Sequence, residues 1–113
     1  MHEMTIAMNI VDIVCKQAND ENAHKINSVE LEIGELSGIM IDSLEFCFEA
    51  ACKNTIADGA DLNIHTVKAQ AFCKSCNINF NTDSNFSPCP TCDNFNFELI
   101  AGKELSIKSF NID

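Results

Sequence analysis

A chain of 113 residues is long enough to build one compact core. Its formal net charge is −10, and its seven basic residues are all Lys, which leaves little to neutralise phosphates and excludes DNA or RNA as the main partner. The seven cysteines are an odd number, and the apolar run from Ile6 to Val14 lacks a basic leader, is broken by Asn9 and Asp12 and is too short to span a bilayer. The expectation is a cytoplasmic protein with no membrane role, whose thiols stay reduced and whose paired cysteines hold metal.

In chain order, Ile6, Ile10, Ile13, Val14 and Ala18 recur at helical spacing, so the segment from Thr5 to Ala18 is expected to form an amphipathic helix. Asn19 to Asn27 reads as a polar connection. Val29, Leu31 and Ile33 then alternate with Glu30 and Glu32 as a half-buried strand, which Gly34 ends or kinks. After Gly38, Asp42-Ser43-Leu44-Glu45 has the form of a capping box. Leu44, Cys47, Phe48 and Ala51 form the apolar stripe of a second helix behind it. Asp58-Gly59 marks a turn, and Leu62, Ile64 and Thr66 alternate with Asn63 and His65 as a second strand. Phe97, Leu99 and Ala101 alternate weakly. Leu105 and Ile107 open a final strand whose apolar face switches at Phe110 and Ile112.

Between these strands lie Cys73-Lys74-Ser75-Cys76, twelve residues, and Cys89-Pro90-Thr91-Cys92. Two C-x-x-C pairs on so short a connection can place four thiolates at the corners of one tetrahedron, the arrangement of a structural zinc site. Pro88 and Pro90 stiffen the second pair. Phe72, Ile78, Phe80 and Phe86 are the large apolar side chains from one pair to the other. They are too few to offset an ordering entropy of about 1 to 2 kcal/mol per residue, which zinc binding of about 10 to 16 kcal/mol can offset. The fold expected is α+β, a small two-helix domain with a three-stranded mixed sheet and an inserted four-cysteine zinc ribbon. Residues 1–68 plus 97–113 make the α/β domain and 69–96 the ribbon.

The amino end offers different chemistry. A large second residue spares the initiator, so Met1 is expected to keep a free α-amine. That amine, the amide nitrogens and the His2 imidazole can close chelate rings of the planar, nitrogen-rich kind suited to Ni(II) or Cu(II). Cys15 and Cys47 read as small hydrophobes of the two helices, Cys52 has no evident partner, and His24 and His65 read as surface or strand residues. No phosphate-cradling loop, dinucleotide fingerprint or hydrolase elbow occurs, so no catalytic residue is expected.

Met1-His2-Glu3-Met4-Thr5-Ile6-Ala7, Leu31-Glu32-Ile33-Gly34-Glu35-Leu36-Ser37-Gly38, Ser43-Leu44-Glu45-Phe46-Cys47-Phe48-Glu49, the double C-x-x-C and Gly102-Lys103-Glu104-Leu105-Ser106-Ile107-Lys108-Ser109 together resemble the HypA/HybF family of hydrogenase nickel-incorporation proteins. The resemblance spans nearly the whole chain. It implies a metallochaperone, not an enzyme, that carries Ni(II) as cargo and Zn(II) as a structural ion. Such a protein works as a monomer or homodimer with a HypB-like nickel-handling GTPase and delivers to the large subunit of [NiFe]-hydrogenase or, in some members, to urease maturation. It further implies His2 as a nickel ligand, supported by the Met1 amine and the backbone or carboxylate of Glu3, with Cys73, Cys76, Cys89 and Cys92 as zinc ligands. Asp42 and Glu35 compete as an additional acidic ligand. The alternative is a zinc-ribbon adaptor that binds other proteins and has no nickel role.

Overall fold

The computed structural model describes residues 2–84 and 87–113. Two helices and six strands run in the order α1 (Glu3–Asp20), β1 (Ile26–Gly34), α2 (Ile41–Cys52), β2 (Asp61–Val67), β3 (Gln70–Cys73), β4 (Ile78–Asn81), β5 (Phe97–Ala101) and β6 (Leu105–Ile112). Two three-stranded sheets result, ordered β2-β1-β6 and β4-β3-β5. The chain divides into two compact units. One comprises Met1–Leu31, Ile39–His65 and Ser106–Asp113, the other Glu32–Gly38 and Thr66–Leu105.

In the first unit α1 packs against α2. The inward face of α1 is Ile6, Ala7, Ile10, Val11, Val14 and Ala18. Ile13, expected on that face, is exposed, because Val11 takes the place beside Val14 and Ala18. The helix ends in a Schellman closure: Asn22 adopts φ 59°, and the Ala23 amide returns to the Ala18 carbonyl at 3.0 Å. In α2 the buried ridge is Leu44, Phe48 and Cys52. The expected capping box is absent: Met40 holds the cap position, no side chain caps the helix, and Asp42 lies exposed inside the first turn, favourably placed for the helix dipole. Cys47 and Ala51 are only half-buried, and Cys52, which had no evident role, completes the ridge. Burial pushes the Cys52 thiol up to about 11, with Cys15 and Asp58 adding to the effect. This cysteine behaves as a small buried hydrophobe of the α2 ridge.

β1 alternates as its sequence predicts, burying Val29, Leu31 and Ile33 and turning Glu30 outward. Glu30 accepts hydrogen bonds from the Asn63 side-chain amide at 2.6 Å and lies 2.8 Å from His65 Nε2, one strand away on β2. On β2 the expected alternation slips at its end, where Thr66 is exposed and Val67 half-buried. β6 does switch face, with Ile107, Phe110 and Ile112 half-buried.

The second unit holds β4-β3-β5. Ala71 faces Phe80 on β4 and Leu99 on β5 in antiparallel register. Strand pairing therefore carries the ribbon sheet on to Ala101, beyond the boundary at 96 that the cysteine spacing suggested. The consequence is energetic. Phe97 and Leu99 pack on a core of Ala71, Cys73, Phe80 and Cys89, and the rings of Phe80 and Phe97 meet edge to face at 5.7 Å. The ribbon is less dependent on metal than a count between its cysteines implies. Phe72 is half-buried, and Phe86 lies outside the described residues.

Three passages of chain are knit together at the base of this unit. The Gly34 amide donates to Glu104 O, Glu35 to Val67 O and Leu36 to Gly102 O, at 2.6 to 2.9 Å. Gly34 is required there by proximity: a Cβ on it would lie 2.1 Å from the Gly102 carbonyl carbon. Gly102, at φ +119°, presses in turn on Ala69.

Candidate metal centre

Each C-x-x-C segment closes as the same turn. The Asn77 amide donates to the Cys73 carbonyl and the Asp93 amide to the Cys89 carbonyl, both at 2.8 Å. Asn77 and Asp93, each directly after the second cysteine of its pair, adopt φ 56° and 57°. Asn and Asp tolerate this left-handed conformation at low cost, so the chain places them where the turn must reverse. β3 supplies Cys73 from its last residue. The second turn is tied in by Cys89 N to Asn94 O and Lys74 N to Asn96 O, both 2.9 Å.

The four sulfurs lie within 4.8 Å of one another. Sulfur contacts cross between the turns, Cys73 to Cys92 and Cys76 to Cys89, each 3.6 Å. All four are free thiols. A tetrahedral ion with metal–sulfur bonds of about 2.3 Å needs sulfurs about 3.8 Å apart, so the constellation has the size of an all-thiolate site. Cys73 and Cys89 are buried, Cys76 is half-buried and Cys92 is exposed.

The electrostatics fit a cation. Burial works against ionising Cys89, but the amides of Cys92 and Thr91 and the thiols of Cys76 and Cys73 outweigh it and bring Cys89 down to about 7. Burial, followed by the neighbouring sulfurs, pushes Cys76 up to about 12. Cys89 therefore ionises readily, whereas burial and the neighbouring sulfurs oppose a thiolate at Cys76. A dication favours the ionised form of its ligands, and soft thiolates select zinc among the common divalent ions.

The amino-end residues are differently placed. His2 is exposed in extended conformation as the cap residue of α1, and its side chain makes no capping hydrogen bond. Its carbonyl accepts the Ile6 amide at 3.2 Å, starting the helix. Glu3, in the first turn, accepts the Met40 amide through Oε2 at 3.3 Å. Met1 lies outside the described residues. Asp42 and Glu35 part company: Asp42 is exposed on α2, whereas Glu35 Oε1 accepts the Ala69 amide at 2.8 Å and so has a structural task in the second unit. Among the described residues, the four cysteines are the group of three or more His, Cys, Asp or Glu side chains close enough to share an ion. His24 is exposed, and no described helix is long and apolar enough to cross a membrane.

Comparison with known proteins agrees with this arrangement. A family model described as hydrogenase/urease nickel incorporation, metallochaperone, HypA matches residues 1–112. A hydrogenase maturation factor HypA of Chlorobaculum parvum is 42% identical over 113 residues, covering the whole of both chains. That of Chlorobium limicola is 43% identical over all of this chain and 97% of its own. The solution structure of the Ni metallochaperone HypA from Helicobacter pylori superposes with a TM-score of 0.69 at 25% identity, covering 99% of this chain and 97% of that one. With the four-cysteine cluster, the two-helix unit and a full-length family match in agreement, the chain belongs to the HypA family of nickel-incorporation metallochaperones.

Proposed function

We propose that this protein binds Ni(II) at its amino end and delivers it, in the cytoplasm, to the large subunit of a [NiFe]-hydrogenase. In this reading it works with a HypB-like nickel-handling GTPase, and Cys73, Cys76, Cys89 and Cys92 hold a structural Zn(II). The nickel role belongs to the unit containing α1 and α2, and the zinc role to the unit containing β3, β4 and β5. The nickel ligands are the Met1 amine, the His2 imidazole and amide, and Glu3.

The observation that carries this reading is the position of His2 and Glu3 at the very start of α1. The first amides of a helix have no intrahelical acceptor, so they can lose a proton to a metal without breaking a helical hydrogen bond. The imidazole beside them is exposed and makes no capping bond. Glu3 already gives one carboxylate oxygen to Met40, which favours its backbone nitrogen or its other oxygen for nickel. Nitrogen donors in this array suit Ni(II), and an exposed helix end lets the ion leave as easily as it arrives.

The test is a calorimetric nickel titration of untagged protein. His2→Ala, or an upstream tag that blocks the amine, is expected to abolish one equivalent of tight nickel binding. Helical dichroism and one zinc per chain should persist. Undiminished nickel affinity in His2→Ala would sink the proposal, and a flat titration of the parent protein would favour the adaptor reading.

A further inference from the structure

Five of the eight large hydrophobic side chains that stand exposed among the described residues lie on α1, on α2 or at the start of α2: Met4, Met8, Ile13, Met40 and Phe46. Phe46 is the most exposed, at 74%. The fold makes no use of it, since α2 buries the opposite ridge of Leu44, Phe48 and Cys52. Helical spacing puts Asp42 and Glu49 on the same face as Phe46, one turn before and one turn after, and Glu45 beside it, all three exposed.

A bare ring among carboxylates is specific in what it accepts. An arginine or lysine side chain can lay its apolar stem and cationic head over the ring while pairing with the acids around it. Met40, 68% exposed, stands at the cap position of the same helix as a second apolar side chain. A second copy of this chain is a poor occupant, because it would bring the same three acids from a molecule of net charge −10 with no arginine. Nucleic acid is repelled for the same reason.

We propose that the outward face of α2 centred on Phe46 is a docking surface for an arginine- or lysine-bearing amphipathic helix of a partner protein. The inference rests on the nickel-carrier reading for its purpose: the Glu3 carboxylate holds the amide of Met40 at the start of α2, so a partner on this face sits on the unit that bears the proposed nickel ligands.

The probes are two designed helical peptides of equal length with the same leucine face, one bearing Arg and Lys on its polar face and the other Glu. Their binding to full-length, untagged protein is followed by fluorescence anisotropy. The basic peptide should bind the parent protein and weaken with added salt, and the acidic peptide should not bind. Phe46→Ala should weaken the basic peptide about tenfold, and Glu45→Lys/Glu49→Lys more, while Phe46→Ala keeps its equivalent of nickel. Unchanged peptide affinity in Phe46→Ala, equal binding of both peptides, or a Phe46-dependent dimer in sedimentation overturns the docking surface. Equal binding of the two peptides by a parent protein that still takes up one equivalent of nickel refutes this inference alone. Retention of nickel by His2→Ala refutes the carrier reading alone.

Discussion

At the ribbon, each sulfur is held by a closed turn, by backbone hydrogen bonds from both neighbouring segments and, for Cys73 and Cys89, by burial in the unit's own core. At the head of α1 the proposed nickel donors His2 and Glu3 sit on the open end of a helix, where the Met40 amide donates a hydrogen bond to the Glu3 carboxylate. The difference bears on exchange. A ligand set assembled from separate segments falls apart only if the fold opens, so its ion stays. A set within consecutive residues at a helix end needs no opening, so its ion can be handed on. The same contrast extends to charge, since four thiolates side by side carry like charges that a cation offsets, whereas amine, amide and imidazole do not accumulate negative charge to the same degree.

The strongest way to break this contrast is to strip the ribbon. Chelation, or Cys73→Ala, removes a binding free energy of about 10 to 16 kcal/mol in small zinc peptides. It should unfold β3, β4 and the two turns while α1 and α2 keep their dichroism. Because Phe80, Phe97 and Leu99 form a core there, some compactness should survive in the stripped ribbon. A Cys73→Ala protein with full zinc and unchanged spectra would contradict the assignment.

Next comes Gly34→Ala, which touches neither metal station. Its Cβ would overlap backbone atoms of Gly102, with no side chain to yield, so a loss of about 3 kcal/mol is expected in urea unfolding. A cost below about 0.5 kcal/mol would mean that the three chain passages are not packed as described.

His2→Ala sharpens the contrast from the other side: it should remove nickel and shift unfolding by less than about 0.5 kcal/mol, since the imidazole caps nothing.

The smallest effect should come from Glu30. Hydrogen bonds from Asn63 and then His65 hold its carboxyl below the ordinary value of 4.5. A group depressed in the folded state stabilises above its unfolded value and loses that contribution as pH falls through the folded one. The parent should therefore exceed Glu30→Gln slightly in melting temperature at pH 6, and the gap should close below pH 4.5. A gap that widens on acidification would reverse the sign assigned to the Asn63 and His65 contacts.

What the chain spells out locally is legible in the sequence alone. The spacing of Ile6, Ile10, Val14 and Ala18 specified α1, and the alternation of Val29, Leu31 and Ile33 specified the buried face of β1, because a single element's period selects a single face. Two C-x-x-C pairs specified two tight turns, because such a turn closes on itself regardless of what surrounds it, while the sulfur contacts that join them, Cys73 to Cys92 and Cys76 to Cys89, come from the folded unit. Long-range packing was illegible for a corresponding reason. Nothing in Phe97-Glu98-Leu99-Ile100-Ala101 says that it will pair with Gln70–Cys73, since strands of similar pattern compete for the same partner. Asp42 looks like a cap, but α2 starts at Ile41 with Met40 in the cap position, two residues before, and the Glu3 carboxylate from α1 accepts the Met40 amide. Glu35 stands in the sequence as a possible metal ligand, and the tertiary structure sets the Ala69 amide against one of its carboxylate oxygens. The identity and order of the donors follow from covalent sequence, whereas which carboxylates remain available to an ion depends on which distant amides the folded chain brings within hydrogen-bond reach.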